Sequence, residues 1–250
     1  MFNKETVNFL KTINKITNSI VLTYPITTGR TESSDIAYMF DLSKFDTDGF
    51  ETPIGFYDLS NFLNTFNLFD DDHEVVVEGS LIKIKDKTTS VNYLTTAIEV
   101  LNQLSFKKEQ FDKNETFPSV LEMELTSQDL KKLNDAHSIF KELDTAVISC
   151  DEHTCITLTK VGNFKTSSNS FKIEKQEKSE KNFNIGISLD TISKLPLRNY
   201  KIIIKYNEER NAYRVTLNTE FFNLVISAKN IEWFGEQKNG KFWFKFFWFW

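Results

Sequence analysis

The sequence is poor in residues that build special backbone. Glycine occurs 8 times and proline 4 times in 250 residues. That is too few for a collagen-like repeat, a series of flexible linkers or a glycine-rich loop that cradles phosphate. The two cysteines, Cys150 and Cys155, exclude a disulfide-stapled scaffold and fit a reducing compartment. Apolar runs never reach the roughly 18 residues of a membrane-spanning helix. Met1 to Ile20 alternates polar and apolar residues and lacks the continuous block of an export signal, so a cytoplasm is the expected home. Positive charge is not in surplus either: 30 Lys and Arg stand against 35 Asp and Glu, a net charge of −5. A protein that coats nucleic acid with its whole surface is thereby excluded, and any contact with DNA has to be local.

What is present is an ordinary globular composition, 40% hydrophobic and 26% charged, with phenylalanine in excess at 24 residues. Apolar periodicity places a helix over residues 3–18: Phe9, Ile13, Ile16 and Ile20 gather on one side. Lys4, Asn8, Lys11 and Lys15 fall within about 60° on the other. Strand patterns follow at Ile20–Tyr24, Ile36–Leu42 and Ile54–Tyr57, with a glycine-containing turn expected around Thr28–Arg30. Asp58 reads as the cap of a short helix carrying Leu59, Phe62, Leu63 and Phe66. Glu74–Glu78 and Leu81–Lys85 read as a hairpin through Gly79 and Ser80, with Ile82 and Ile84 inward and Lys83 and Lys85 outward.

Residues 97–119 lose this regularity and read as a connector. Beyond them the order restarts: strand Val120–Leu125, a helix from Thr126 or Ser127 to about Lys141, and strands Ala146–Cys150 and Cys155–Lys160. Strands near 170–175 and 182–188, a short helix at 189–195, and strands Tyr200–Tyr206, Tyr213–Asn218 and Phe221–Ala228 follow. Each half has a helix near its start, a group of strands, a second short helix and a closing β-meander, the pattern of a diverged internal duplication. The expected class is α+β with two similar domains, at residues 1–105 and 120–230, joined by a connector at 106–119. An extension at 231–250 follows, in which eight of the last ten residues are Phe or Trp.

Three segments carry a family resemblance. They are Phe56-Tyr57-Asp58-Leu59-Ser60-Asn61-Phe62-Leu63 with Asp71-Asp72 and Ile82-Lys83-Ile84; Phe117-Pro118 with Ser127-Gln128-Asp129-Leu130; and Leu195-Pro196-Leu197-Arg198-Asn199-Tyr200-Lys201-Ile202-Ile203. In this order the chain, over residues 3–228, resembles the sliding clamps of T-even-type bacteriophages, the processivity factors of the replicative DNA polymerase. The resemblance implies a homotrimeric ring with helices lining a hole around double-stranded DNA and sheets outside. It implies no catalytic residue, cofactor or metal. It implies an ATP-dependent clamp loader and the replicative polymerase as partners, late-transcription machinery as a further partner in some members, and the cytoplasm of an infected bacterial host as location. Lys4, Lys11 and Lys194 match lysines of the family. At Asp135 and Ser138 the family has basic residues and this chain does not, while Lys131 and Lys132 stand where the family is neutral. Lys4, Lys11, Lys15, Lys131, Lys132 and Lys194 are therefore the expected DNA-facing set. The family's partner pocket near the connector directs attention to Phe106, Phe111, Phe117 and Pro118, whose other reading is as plain hydrophobic anchors.

Other constellations have simpler readings. Asp70 to Glu74 with His73 contains metal-ligand types, but adjacent acids in a turn ordinarily stay solvated. Cys150, His153 and Cys155 supply three of the four ligands of a structural zinc site without its spacing, and read as a hairpin turn flanked by buried thiols. His137 falls on the apolar side of its helix. The aromatic tail reads as a hairpin through Asn239-Gly240, as a docking segment, or as an appendage without a role. The alternative to a clamp is a structural β-rich phage assembly protein that makes protein contacts only. A third class, a metal-dependent nucleic-acid enzyme using Asp71 and Asp72, predicts divalent-metal-dependent turnover.

Overall fold

The first helix, α1 (Lys4–Asn14), begins where the Asn3 side chain accepts the Thr6 backbone N–H at 2.8 Å, and it buries Val7, Phe9, Leu10 and Ile13. It ends at Asn14, short of the expected residue 18. Thr17 turns its hydroxyl onto the Ser19 carbonyl at 2.9 Å, and Glu32 accepts the Ser19 N–H at 2.8 Å, so the helical ladder is replaced by side-chain hydrogen bonds. The computed structural model describes residues 2–45, 52–69, 73–151, 153–160, 171–179 and 181–231. It divides into two compact units, one comprising Met1–Gln110 with Glu220–Leu224, the other Phe111–Thr219 with Val225–Trp250.

In the first unit β1 (Ile20–Leu22) pairs antiparallel with β4 (Ile54–Phe56), and β2 (Ile26–Arg30) pairs with β3 (Ile36–Asp41). The expected turn at Thr28–Arg30 is thus strand. Gly29 belongs there because the Tyr38 ring lies over it, and a Cβ would come within 2.6 Å of that ring's Cζ. Pro25 separates β1 from β2, since it has no N–H to offer a ladder. Helix α2 (Leu59–Thr65) is capped by Asp58, as its sequence indicates, through the Asn61 N–H at 2.8 Å. It lies against α1, with Asn14 Nδ2 donating to Ser60 Oγ at 2.9 Å. A three-stranded sheet follows in the order β5 (Glu74–Glu78), β6 (Leu81–Lys85), β7 (Ser90–Leu94). The hairpin bounds agree with the sequence pattern. The third strand, β7, has no counterpart in the expected elements.

The phenylalanine excess is spent here. Phe62 meets Phe2, Phe56, Phe66 and Tyr93 at centroid distances of 5.3, 4.6, 5.3 and 5.1 Å. Phe9 stacks on Phe45 at 4.1 Å and on Phe222 at 5.5 Å. Such pairs add about 0.5–1.5 kcal/mol each beyond the area they bury.

The second unit runs β8 (Ser119–Leu125), α4 (Ser127–Ile139), β9 (Thr145–Cys150), β10 (Thr154–Thr159), β11 (Phe171–Glu174), β12 (Phe183–Ser188), α5 (Leu189–Ser193), β13 (Tyr200–Asn207), β14 (Ala212–Asn218). It closes with β15 (Phe222–Ile226), whose first residues group with the first unit, and β16 (Lys229–Asn230). Its strands form one sheet in the order β11-β10-β9-β12-β16, while β13 pairs with β14 on one side and β8 on the other. Both units follow one plan. In the second, β9 alone pairs with β10 and β12; in the first, β1 and β2 divide that task between β4 and β3. A helix pair accompanies the strands in each unit, α1 with α2 and α4 with α5.

The stretch from 97 to 119 is more ordered than its composition indicates. Ile98–Leu104 is 3-10 helix with Leu101 and Leu104 buried, held by Arg30, whose Nη2 and Nε donate to the Gln103 carbonyl at 2.7 and 3.0 Å. Lys108–Glu115 is a helix, α3, with Phe111 on its buried side.

Candidate nucleic-acid interface

The buried face of α1 points one way and its lysines the other. At about 100° per residue, Thr6, Val7, Phe9, Leu10 and Ile13 form the buried side, and Lys4, Asn8, Lys11 and Lys15 form a narrow exposed stripe opposite. Lys15, expected inside the helix, is its C-terminal cap residue and remains exposed. The stripe itself carries no carboxylate, and Glu5, exposed in the first turn, flanks it. Its charges sit on long flexible stems and attract phosphate without fixing a register.

In the second unit α4 starts with a reciprocal cap: Thr126 Oγ1 accepts the Asp129 N–H at 3.0 Å, and Asp129 Oδ2 accepts the Thr126 N–H at 3.1 Å. Leu130, Leu133 and Ala136 are buried, so Lys131 and Lys132 face outward, accompanied by Gln128, Asp135 and Ser138. Asp135 offsets part of their charge. Lys194 caps the C-terminus of α5 and is half-buried. It stands where a cation interacts favourably with the helix dipole.

The start of α4 is fixed by an ion pair that the sequence pattern does not reveal. Lys175 Nζ lies 2.6 Å from Asp129 Oδ2, with both side chains nearly buried, and also donates to the Glu124 carbonyl at 2.8 Å. Burial alone would raise the Asp129 pKa, but the hydrogen bonds from Lys175 and Thr126 outweigh it and hold the carboxyl below its ordinary value. A second buried cation, Lys205, is 2.6 Å from Glu115 Oε2, which ties α3 to β13.

The remaining candidate residues are dispersed. Phe106 and Phe117 are half-buried, Pro118 is exposed, and Phe111 is 2% exposed, packed as an anchor. Asp70 to Asp72 lie outside the described residues; of that acidic run, His73 sits 5.3 Å from the Phe66 ring and Glu74 pairs with Lys85 at 3.0 Å. Cys150 is buried under the Thr154 hydroxyl, whereas Cys155 is half-exposed, so only one of the two thiols expected to be buried is. His137 places Nδ1 3.1 Å from the Leu143 carbonyl oxygen, as a satisfied structural histidine does. An open cleft of about 440 Å3 is lined by Glu122, Met123, Glu124, Glu177, Asn199, Tyr200 and Lys201. Lys201 there is paired to Glu122 at 2.7 Å. Among the described residues no three His, Cys, Asp or Glu side chains converge on a metal-sized site, and no helix is long and apolar enough to cross a membrane.

Comparison with solved structures defines the class of fold. The chain is similar to proliferating cellular nuclear antigen from Entamoeba histolytica, with a TM-score of 0.62 and 14% identity over 89% of this chain and 94% of that one. It is similar to the same protein from Thermococcus kodakaraensis, at 0.59 and 12% over 90% and 96%. The Helicobacter pylori beta clamp, in complex with a DNA ligase peptide, matches at 0.54 and 13% over 90% of this chain and 64% of its own. The chain therefore has the two-domain α+β fold of the sliding clamps. No sequence-family model and no curated protein sequence matches it.

Proposed function

We propose that this protein is a DNA sliding clamp of the T-even bacteriophage type, a non-enzymatic homotrimeric ring that encircles duplex DNA and tethers the replicative polymerase. The observation that carries the reading is the carboxylate-free lysine stripe of α1, opposite a fully buried face, on a chain with the clamp fold. Lys4, Lys11, Lys15, Lys131, Lys132 and Lys194 line the hole. A ring that must slide cannot hydrogen-bond base edges, and lysines reaching phosphate oxygens give attraction that is equal at every sequence position. Net charge supports the same mechanism: three copies at −5 each make a strongly acidic body that repels DNA from its outside. Retention then comes from topology, so an ATP-dependent loader is needed to open and close the ring.

Partner docking belongs to this reading too. A solved nuclear-antigen clamp is bound to the C-terminal region of FEN-1, and the Helicobacter pylori clamp to a DNA ligase peptide. Here the polymerase and late-transcription machinery would dock at the connector, residues 106–119, through the partly accessible Phe106, Phe117 and Pro118, with Phe111 as the buried anchor that holds the segment.

The test is primer extension around a circular template by the cognate polymerase and loader, alongside solution mass by light scattering. Full-length products that depend on this protein, and a mass three times the 29.2 kDa subunit, are expected. Unchanged short products with a complete cognate set would overturn the clamp reading and favour a purely structural assembly protein.

A further inference from the structure

The first strand after the second helix is β5 in one unit and β13 in the other, after α2 and α5 respectively. β13 has β14 on one side and β8 on the other. Among the described residues β5 pairs with β6 alone. Burial follows the same difference. On β13 the inner Ile202 and Ile204 are 2% and 0% exposed. On β5 the inner Val75 and Val77 remain partly exposed, although Ile84 and Ile82 opposite them in register are fully buried. An antiparallel ladder engages every second N–H and C=O on each side of a strand, so β5 also presents backbone donors and acceptors that β6 does not reach.

Within the second unit, β8 shows the chemistry that suits such a place. It sends Leu121, Met123 and Leu125 inward, all buried, and Glu122 and Glu124 outward. Its outward glutamates meet Lys201 of β13, Glu124 in register and Glu122 through an ion pair of 2.7 Å. The flanking strand is thus apolar on its inner positions and opposite in charge to its neighbour on its outer ones.

On β5 the outer positions are Glu74, Val76 and Glu78, two carboxylates four residues apart around an apolar residue. Glu78 stands across from Leu81 rather than a cation. Glu74 meets Lys85 at 3.0 Å with its side chain 61% exposed, and a carboxylate accepts from several donors at once. A second copy of β5 laid in register would set glutamate against glutamate in either direction, which is destabilising. The strand that complements this edge carries cations at those two places and apolar side chains beside Val75 and Val77.

We propose that the edge of β5 docks an extended segment of a partner protein, read as cation, apolar, any residue, apolar, cation. Main-chain hydrogen bonds to β5 supply affinity, and the alternating side chains supply selectivity. The site lies wholly within the first unit and uses no residue of the connector or of the lysine stripe.

The test is fluorescence anisotropy of the labelled peptide acetyl-Lys-Val-Thr-Val-Lys-amide on the full chain, with residue-resolved amide exchange at Val75, Val76 and Val77. The peptide is expected to bind and to slow exchange at the edge-facing amides. A peptide with Glu in place of both lysines should bind about tenfold more weakly, as should one N-methylated at two consecutive central amides. Glu74→Lys with Glu78→Lys should invert the preference, so that the Glu peptide binds better than the Lys peptide. A variant that gains a ligand in this way is folded. Glu78→Gln, which adds no repulsion within the sheet, should weaken the Lys peptide about threefold. Absence of binding, equal binding of the two peptides, or an unchanged preference in the charge-reversed protein overturns the proposal. Edge amides already protected before peptide is added overturn it too, because the edge is then filled by the chain itself or by a second copy. The readout involves no DNA or polymerase, so it stands or falls independently of the clamp reading.

Discussion

Removing the Asp129 charge is the sharpest perturbation of the helix that presents Lys131 and Lys132. Asp129→Asn keeps the shape of the side chain and part of the cap at Thr126. It leaves Lys175, 13% exposed, without its partner 2.6 Å away. Breaking a buried ion pair costs about 3–5 kcal/mol. The residual solvent access of both groups and their remaining hydrogen bonds, including Lys175 to the Glu124 carbonyl, bring the expectation to about 2–3 kcal/mol. Lys175→Met should cost a similar amount, because it strands the carboxylate. The double variant should cost clearly less than the sum, with a coupling of about 1–3 kcal/mol in urea unfolding.

The pH dependence has a definite sign. The folded pKa of Asp129 is held below its ordinary carboxylate value by the hydrogen bonds from Lys175 and Thr126, so its contribution is fully present above the unfolded value. It is lost as pH falls through the folded value. The unaltered protein should therefore lose stability below about pH 4 faster than Asp129→Asn. Additive single-variant costs, or parallel acid profiles, would show that the pair at the start of α4 is not coupled and refute the reasoning.

Three further outcomes are expected. Replacing Lys4, Lys11 and Lys15 by Ala, all exposed, should change the unfolding free energy by no more than about 0.5 kcal/mol per site. It should also lower the slope of log affinity for duplex DNA against log salt by about 0.9 per lost phosphate contact; an unchanged slope removes α1 from the interface. Phe62→Ala, at the centre of four aromatic contacts and 0% exposed, should cost about 3–5 kcal/mol in chemical denaturation. A loss below about 1 kcal/mol would mean that the cluster is not cooperative. Gly29→Ala should destabilise by about 1–3 kcal/mol, because the Tyr38 ring occupies the space of the new methyl. A neutral result would show that the ring can move aside.

Much of the molecule is written in local pattern. The 3.6-residue period gives the buried face of α1 and hence its lysine stripe. Asp58 and Thr126 mark helix starts because their side chains accept nearby N–H groups three residues on. The alternation in Leu81–Lys85, with the Gly79-Ser80 turn, gives the β5–β6 hairpin and its inward isoleucines. These features depend on residues within a few positions of one another, so the sequence by itself determines them.

What tertiary structure decided has partners far apart in the chain. Gly29 resembles a turn residue until the Tyr38 ring, brought across from β3, makes its missing side chain a requirement for strand. The 3-10 segment at Ile98–Leu104 forms from an irregular sequence because Arg30, more than seventy positions earlier, binds the Gln103 carbonyl. Asp129 and Lys175, 46 residues apart, are ordinary surface types until α4 and the chain after β11 bring them together and exclude water. Periodicity and caps report which face of an element is buried. Which other element covers that face is settled by the collective packing of side chains from remote segments, and no local pattern contains it.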